Sequence, residues 1–123
     1  MTRAKETLSK IIKNVINEHP EMNVRVSFVG YRDISDAKRF EIIDFTNDIE
    51  KVQNFIGKLT ATGGGDACED ITGGFDKALK LNWKAESRYA IQICDYPCHG
   101  AKYHNNCGDY YKNGCPKGLD IEK

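Results

Sequence analysis

The apolar residues of this chain change their spacing several times, and that switching restricts the folds open to it. Ala4, Leu8, Ile11, Ile12, Val15 and Ile16 recur every third or fourth residue, with Lys, Glu and Asn between them. This is the period of an amphipathic helix. Thr2 is placed to cap it and Pro20 to end it. The spacing then drops to two. Val24, Val26 and Phe28 alternate with Arg25, Ser27 and Val29 before Gly30 and Tyr31, which predicts a strand buried on much of both faces. "FEIIDF", Phe40 to Phe45, predicts a second strand, and "RDISDAKR" joins the two. Asp48 is placed to cap a second helix with Ile49, Val52, Phe55, Ile56 and Leu59 on one face. A third helix is predicted from near Asp66 or Glu69 to about Leu81, and "RYAIQIC", Arg88 to Cys94, predicts a third strand ending at Asp95.

Helices alternating with buried strands predict an α/β layered fold. A chain of 123 residues suffices for one domain with one core. Such domains normally open with a strand, and this chain opens with a helix, so a missing first strand is expected. After Asp95 the period dissolves. Residues 96–118 are rich in Gly, Asn, Tyr and Cys, and a segment of this length without structure is usually functional or disordered. "GLDIEK" reads as the start of a further helix.

Lys+Arg and Asp+Glu both total 18, for a net charge of zero. That balance argues against nucleic acid and against an anionic membrane as partners. The opening "MTRAKETLSK" lacks the apolar core of a signal peptide. No apolar run approaches the ~20 residues that span a bilayer. The expectation is a soluble, cytoplasmic chain.

"TGGGDACEDITGG", Thr62 to Gly74, places Asp66, Glu69 and Asp70 directly after three glycines. Asp-x-x-Glu before a helix is a capping box, which accounts for Asp66 and Glu69 without a ligand. The same oxygens suit Mg²⁺, which takes one or two carboxylates and fills its octahedron with water or a partner's groups. Asp95 offers a second segment at the predicted C-terminal end of a strand, or is simply a turn residue before Tyr96–Pro97. A phosphate loop is excluded, because "TGGGDA" follows a helix and puts acids where phosphate would sit. Gly73 and Gly74 weaken the helix by about 1 kcal/mol each relative to alanine. Paired glycines there point to a close backbone approach.

The five cysteines are odd in number and come without a secretion signal, so a disulfide framework is not expected. Cys98, His99, His104 and Cys107 offer an alternative, zinc-binding set, although the spacing matches no familiar finger and contains no Cys-x-x-Cys pair. Cys94 reads as a small buried hydrophobe. Cys98 beside His99 raises the question of a thiol nucleophile, with no third group to orient it. Trp83 reads as an aromatic anchor against the next strand. Tyr31, Arg32 and Asp33 read as a solvated turn rather than the rim of a site.

Taken together, "VRVSFVGYRD", "RFEIIDFT", "KLTATGGGDACEDITGGFDKALKLNW" and "ICDYPCHGAKYH" resemble a von Willebrand factor A domain. The version they resemble stands beside alpha-type protein kinases of the myosin-heavy-chain-kinase kind. The resemblance runs from Leu8 to Glu122. It implies a doubly wound, Rossmann-like sheet with helices on both faces, here as a single partial domain over residues 1–123. The first strand and the C-terminal strands would be missing. It also implies a metal-ion-dependent adhesion site at the sheet's C-terminal edge. Asp95 matches the last of its three loops. Asp66 matches the middle loop, with Glu69 placed like the Pro-Glu loop of integrin β subunits and Cys68 where proline is common. The Asp-x-Ser-x-Ser loop is absent from these residues. The expectation is therefore weak or absent Mg²⁺ binding, no kinase module and no catalysis. The implied role is protein interaction, in which a partner's carboxylate completes the metal shell. A zinc-stabilised structural module and a regulatory or targeting part of an alpha-type kinase are the alternatives.

Overall fold

The computed structural model describes residues 2–105 and 107–123. The Thr2 side chain, the expected first cap, lies outside what it describes. Helix α1 spans Thr2–Glu18, strand β1 Val26–Tyr31, strand β2 Phe40–Thr46, helix α2 Ile49–Lys58 and helix α3 Ile71–Leu79. A 3-10 turn follows at Ala101–Tyr103.

β1 and β2 form an antiparallel ribbon, with Tyr31 opposite Phe40 and Val26 opposite Thr46. The register slips between Val26 and Phe28, so that Asp44 and Phe45 of β2 stand against Ser27. Such a bulge bends a strand and re-aims its side chains. Arg25 fastens this one by donating to the Phe45 carbonyl at 3.1 Å. Trp83 packs on Phe45 with ring centroids 4.6 Å apart and donates its indole N–H to the Ala78 carbonyl. The tryptophan thus anchors the end of α3 to β2.

The helix periodicity gives the core directly. Ile12 of α1 meets Val52 and Ile56 of α2, with Ile16, Val26, Phe28, Ile43 and Ile49 packed around them. Asp48 caps α2, its carboxylate accepting from the Lys51 N–H at 2.9 Å. Lys5 of α1 donates to the Gly57 and Leu59 carbonyls at the other end, where a cation complements the helix dipole. Successive side chains of a strand point to opposite faces. Phe28 meets Phe55 of α2, whereas Tyr31, three residues on, lies against Gly74 of α3. The ribbon therefore carries helices on both faces.

Three expectations fail here. The helix expected from Asp66 begins at Ile71 and is capped by Asp70, whose carboxylate accepts from the Gly73 N–H at 3.1 Å. It starts late because the backbone of Glu69 is extended and paired with Pro97 and His99, which forbids helical dihedrals. Residues 88–94 form no strand, and Tyr89, Ile91 and Ile93 stand exposed. The alternation is there, but among the described residues no backbone hydrogen bond joins this segment to β1. "GLDIEK" forms turns rather than a helix, because Asp120 is drawn to Lys102 at 2.8 Å and the Tyr103 hydroxyl at 2.6 Å.

Candidate functional site

Three connections meet at one end of the ribbon. The link after β1 supplies Asp33 and Asp36. The Asp36 carboxylate accepts from the Gly64 N–H, and that of Asp33 from the Gly65 N–H, both at 3.1 Å. Gly63 and Gly64 have φ of 93° and 94°, a left-handed conformation open to glycine at little cost. The glycine loop is free to turn so that the residues after it reach a second segment. There Glu69 N–H donates to the Pro97 carbonyl at 2.9 Å, and His99 N–H to the Glu69 carbonyl at 3.2 Å. Glu69 and Cys98 thus form a short parallel bridge.

His99 sits at the centre and is almost wholly buried. Its Nε2 lies 2.9 Å from an Asp33 oxygen and its Nδ1 2.7 Å from an Asp109 oxygen. With a carboxylate on each nitrogen, both nitrogens act as donors and the ring is an imidazolium. Burial alone would lower its pKa, but the hydrogen bonds to Asp109 and Asp33 outweigh that and raise it. Burial pushes the Asp33 carboxyl up, and the bonds from His99, Ile34 and Gly65 more than reverse it. Asp109 is held well below the usual carboxylate range. Burial opposes this, but Gly100 N–H, His104, His99 and Tyr111 N–H all bind its charged form.

Asp66 lies beside this triad. One of its oxygens accepts from the Tyr110 N–H and lies 4.0 Å from His99 Nδ1. The other, Oδ1, is buried and has no hydrogen-bond partner among the described residues. Burial pushes the Glu69 carboxyl up, and the charges of Asp95, Asp33 and Asp66 push it further. The Tyr31 hydroxyl is pushed up to about 12 by burial first; Gln92 opposes this, and the charges of Cys94, Glu69 and Asp95 add to it. Asp66, Glu69 and Asp95 therefore share one electrostatic neighbourhood, with Asp33 in it as well. Their oxygens form no compact three-ligand group; among the described residues Asp66 instead clusters with Asp33 and His99.

The four residues of the expected zinc set part company. His99 is committed to its carboxylates. Burial raises the Cys98 thiol's pKa, and the thiol lies against Thr72 at the start of α3. With both imidazole nitrogens of His99 occupied, Cys98 has no base, so the nucleophile reading has no support. His104 and Cys107 instead meet Cys68, which is bonded to Cys107 as a disulfide. That bridge departs from the expectation of no disulfides: the folded glycine loop brings together residues 39 apart in sequence. Cys94, expected inside, is exposed, while Cys98 and Cys115 are buried. The supposedly solvated Asp33 is 2% exposed.

The comparisons with known proteins agree with one part of the sequence reading. The chain is 30% identical over 120 residues to the alpha-protein kinase vwkA of Dictyostelium discoideum. That alignment takes in 96% of this chain and 19% of the relative, so the chain spans about a fifth of the length of the protein it matches. No family model matches it. No solved structure matches it either. Among the described residues, no helix is long and apolar enough to cross a membrane.

Proposed function

We propose that this chain is a non-catalytic protein-interaction domain of a larger, alpha-kinase-associated protein, built on the doubly wound plan of the von Willebrand factor A domain. The ligand face is the edge where the glycine loop meets residues 95–99. Helices on both faces of the ribbon and the similarity to a segment of a larger kinase-named protein support this reading. The observation that carries it is Asp66 Oδ1, a carboxylate oxygen withdrawn from water and without a donor among the described residues. Leaving such a group unpaired costs about 1–3 kcal/mol or more. A divalent cation at Asp66, reaching Glu69 and Asp95 through bound water, would satisfy it, with a partner's carboxylate completing the shell. The His99 imidazolium close by repels a second cation, so Mg²⁺ binding by the chain alone is weak.

Amide chemical shifts recorded during a Mg²⁺ titration test this. Gly65, Asp66, Glu69 and Asp95 should move together at millimolar Mg²⁺, and Asp66→Asn should abolish the response. A glutamate-bearing peptide should tighten Mg²⁺ binding, since coupling between two ligands is reciprocal. The reading fails if these amides stay still, if micromolar Mg²⁺ saturates them without a peptide, or if the peptide has no effect.

A further inference from the structure

The Cys68–Cys107 bridge lies against a histidine prepared for a different task. His104 Nε2 is 3.0 Å from an Asp109 oxygen, so Nε2 carries the proton and donates it. Among the described residues, the other nitrogen, Nδ1, accepts only a long contact of 3.4 Å from the Cys107 N–H. A carboxylate that fixes the far nitrogen of an imidazole and leaves the near one as a lone pair is the usual second layer of a zinc-bound histidine. Asp109 is itself immobilised, accepting from the Gly100 and Tyr111 N–H groups, each at 2.7 Å. The ligand atoms of Cys68, His104 and Cys107 all lie within 4.8 Å of one another. Zinc–sulfur and zinc–nitrogen bonds of ~2.3 and ~2.0 Å fit a cluster of that size. His104 and Asp109 also line a surface cavity of about 460 Å³ with Ala101, Asn105 and Lys112, which gives an ion a way in.

We propose that Cys68 and Cys107, once reduced, form a zinc site with His104 Nδ1, leaving a fourth position open to water or a ligand. Asp109 is the positioning residue. The disulfide and the zinc site are alternative states of the same two sulfurs. A dithiol reductant delivers two electrons and two protons to the bridge, yielding two thiols and becoming a disulfide itself. Zinc then displaces both thiol protons. A disulfide oxidant reverses the sequence and releases the ion. The site differs from the Cys98, His99, His104 and Cys107 set, and it is independent of the Mg²⁺ reading.

The test uses the full chain, reduced with a phosphine that does not itself bind zinc strongly, and zinc or cobalt as the probe. The reduced protein should take one equivalent of zinc, and the oxidised protein none. Cobalt should give a thiolate charge-transfer band. His104→Ala and Cys107→Ser should weaken zinc binding at least tenfold, whereas Cys98→Ser should leave it unchanged. Asp109→Asn should keep the cobalt–thiolate band but weaken zinc binding about 10–100-fold. Circular dichroism before metal addition separates misfolding from ligand loss. Equal zinc uptake by the oxidised and reduced forms would overturn the site. So would uptake indifferent to Cys107→Ser and His104→Ala in folded variants, or the absence of stoichiometric zinc in the reduced chain.

Discussion

At the scale of single residues, His99 ties three segments together through charge. Its folded pKa is raised above the ordinary 6.5, so its contribution to stability is complete below 6.5 and fades as pH rises through the folded value. Asp33 and Asp109 act in the opposite sense. Their pKa values are depressed below 3.8, so their contribution is complete above 3.8 and fades as pH falls. Stability should therefore be greatest between these limits. It should decline above 6.5 with a slope of at most about 1.4 kcal/mol per pH unit for the one proton involved. Urea unfolding midpoints at about pH 5.5 and about pH 8.5 read this directly. A higher midpoint at the alkaline end would contradict the triad. None of this was legible in the sequence. Asp33 and His99 are 66 residues apart, and Asp109 sits in "NNCGDYY", where nothing marks it from a turn aspartate. Asp66 was legible as an acid of interest because three glycines precede it. Its missing partner was not, since an unpaired oxygen is a property of packing.

At the scale of elements, local rules carried α1, α2 and the ribbon, and long-range contacts decided the rest. Asp48 caps α2 as its position suggests, and Ile12, Val52 and Ile56 form the core that the helical spacing marks. The start of α3 is where the local rule broke. Asp66–Glu69 fits a capping box, yet the tertiary pairing of Glu69 with Pro97 takes that backbone first. Asp70 inherits the cap and also pairs with Arg39 at 2.6 Å. The two glycines of α3 repay their weak propensity through packing. A Cβ on Gly74 would come within 2.7 Å of the rigid ring of Tyr31, the last residue of β1. Gly74→Ala should thus gain about 1 kcal/mol of helix propensity and lose about 1–3 kcal/mol to overpacking, for a net destabilisation. Gly57→Ala in α2 is the matched control. A Cβ there meets nothing within 4 Å, so only the propensity gain remains and the variant should be more stable. Denaturant midpoints of the pair check both signs. Stabilisation by Gly74→Ala would mean that α3 does not pack on Tyr31 as described.

At the scale of the whole molecule, β1 pairs with β2 along one side, and its other side faces residues 88–94. Gln92 lies near enough to the Tyr31 hydroxyl to influence its titration, so this segment runs beside the ribbon. No backbone ladder joins it to β1 among the described residues. Tyr89, Ile91 and Ile93 alternate as a strand should and are 85%, 65% and 48% exposed. Their pattern is that of a strand, but a strand exists only when another backbone receives its hydrogen bonds. An extended apolar segment with unpaired N–H and C=O groups is a template for pairing with another chain. The chain should therefore self-associate as its concentration rises, through 88–94 and the free edge of β1. In the dilute monomer, hydrogen exchange should leave the amides of 88–94 nearly unprotected and protect those of β1 that bond to β2. In concentrated solution, protection should spread into 88–94. Ile91→Lys puts a charge in the middle of the exposed row and should hold the protein monomeric without altering the core, because Ile91 touches neither Ile12, Val52 nor Ile56. Sedimentation velocity of the two forms across a concentration series decides the matter. If the unsubstituted chain stays monomeric while 88–94 is strongly protected, the segment pairs within its own molecule, and the account of an open edge is wrong.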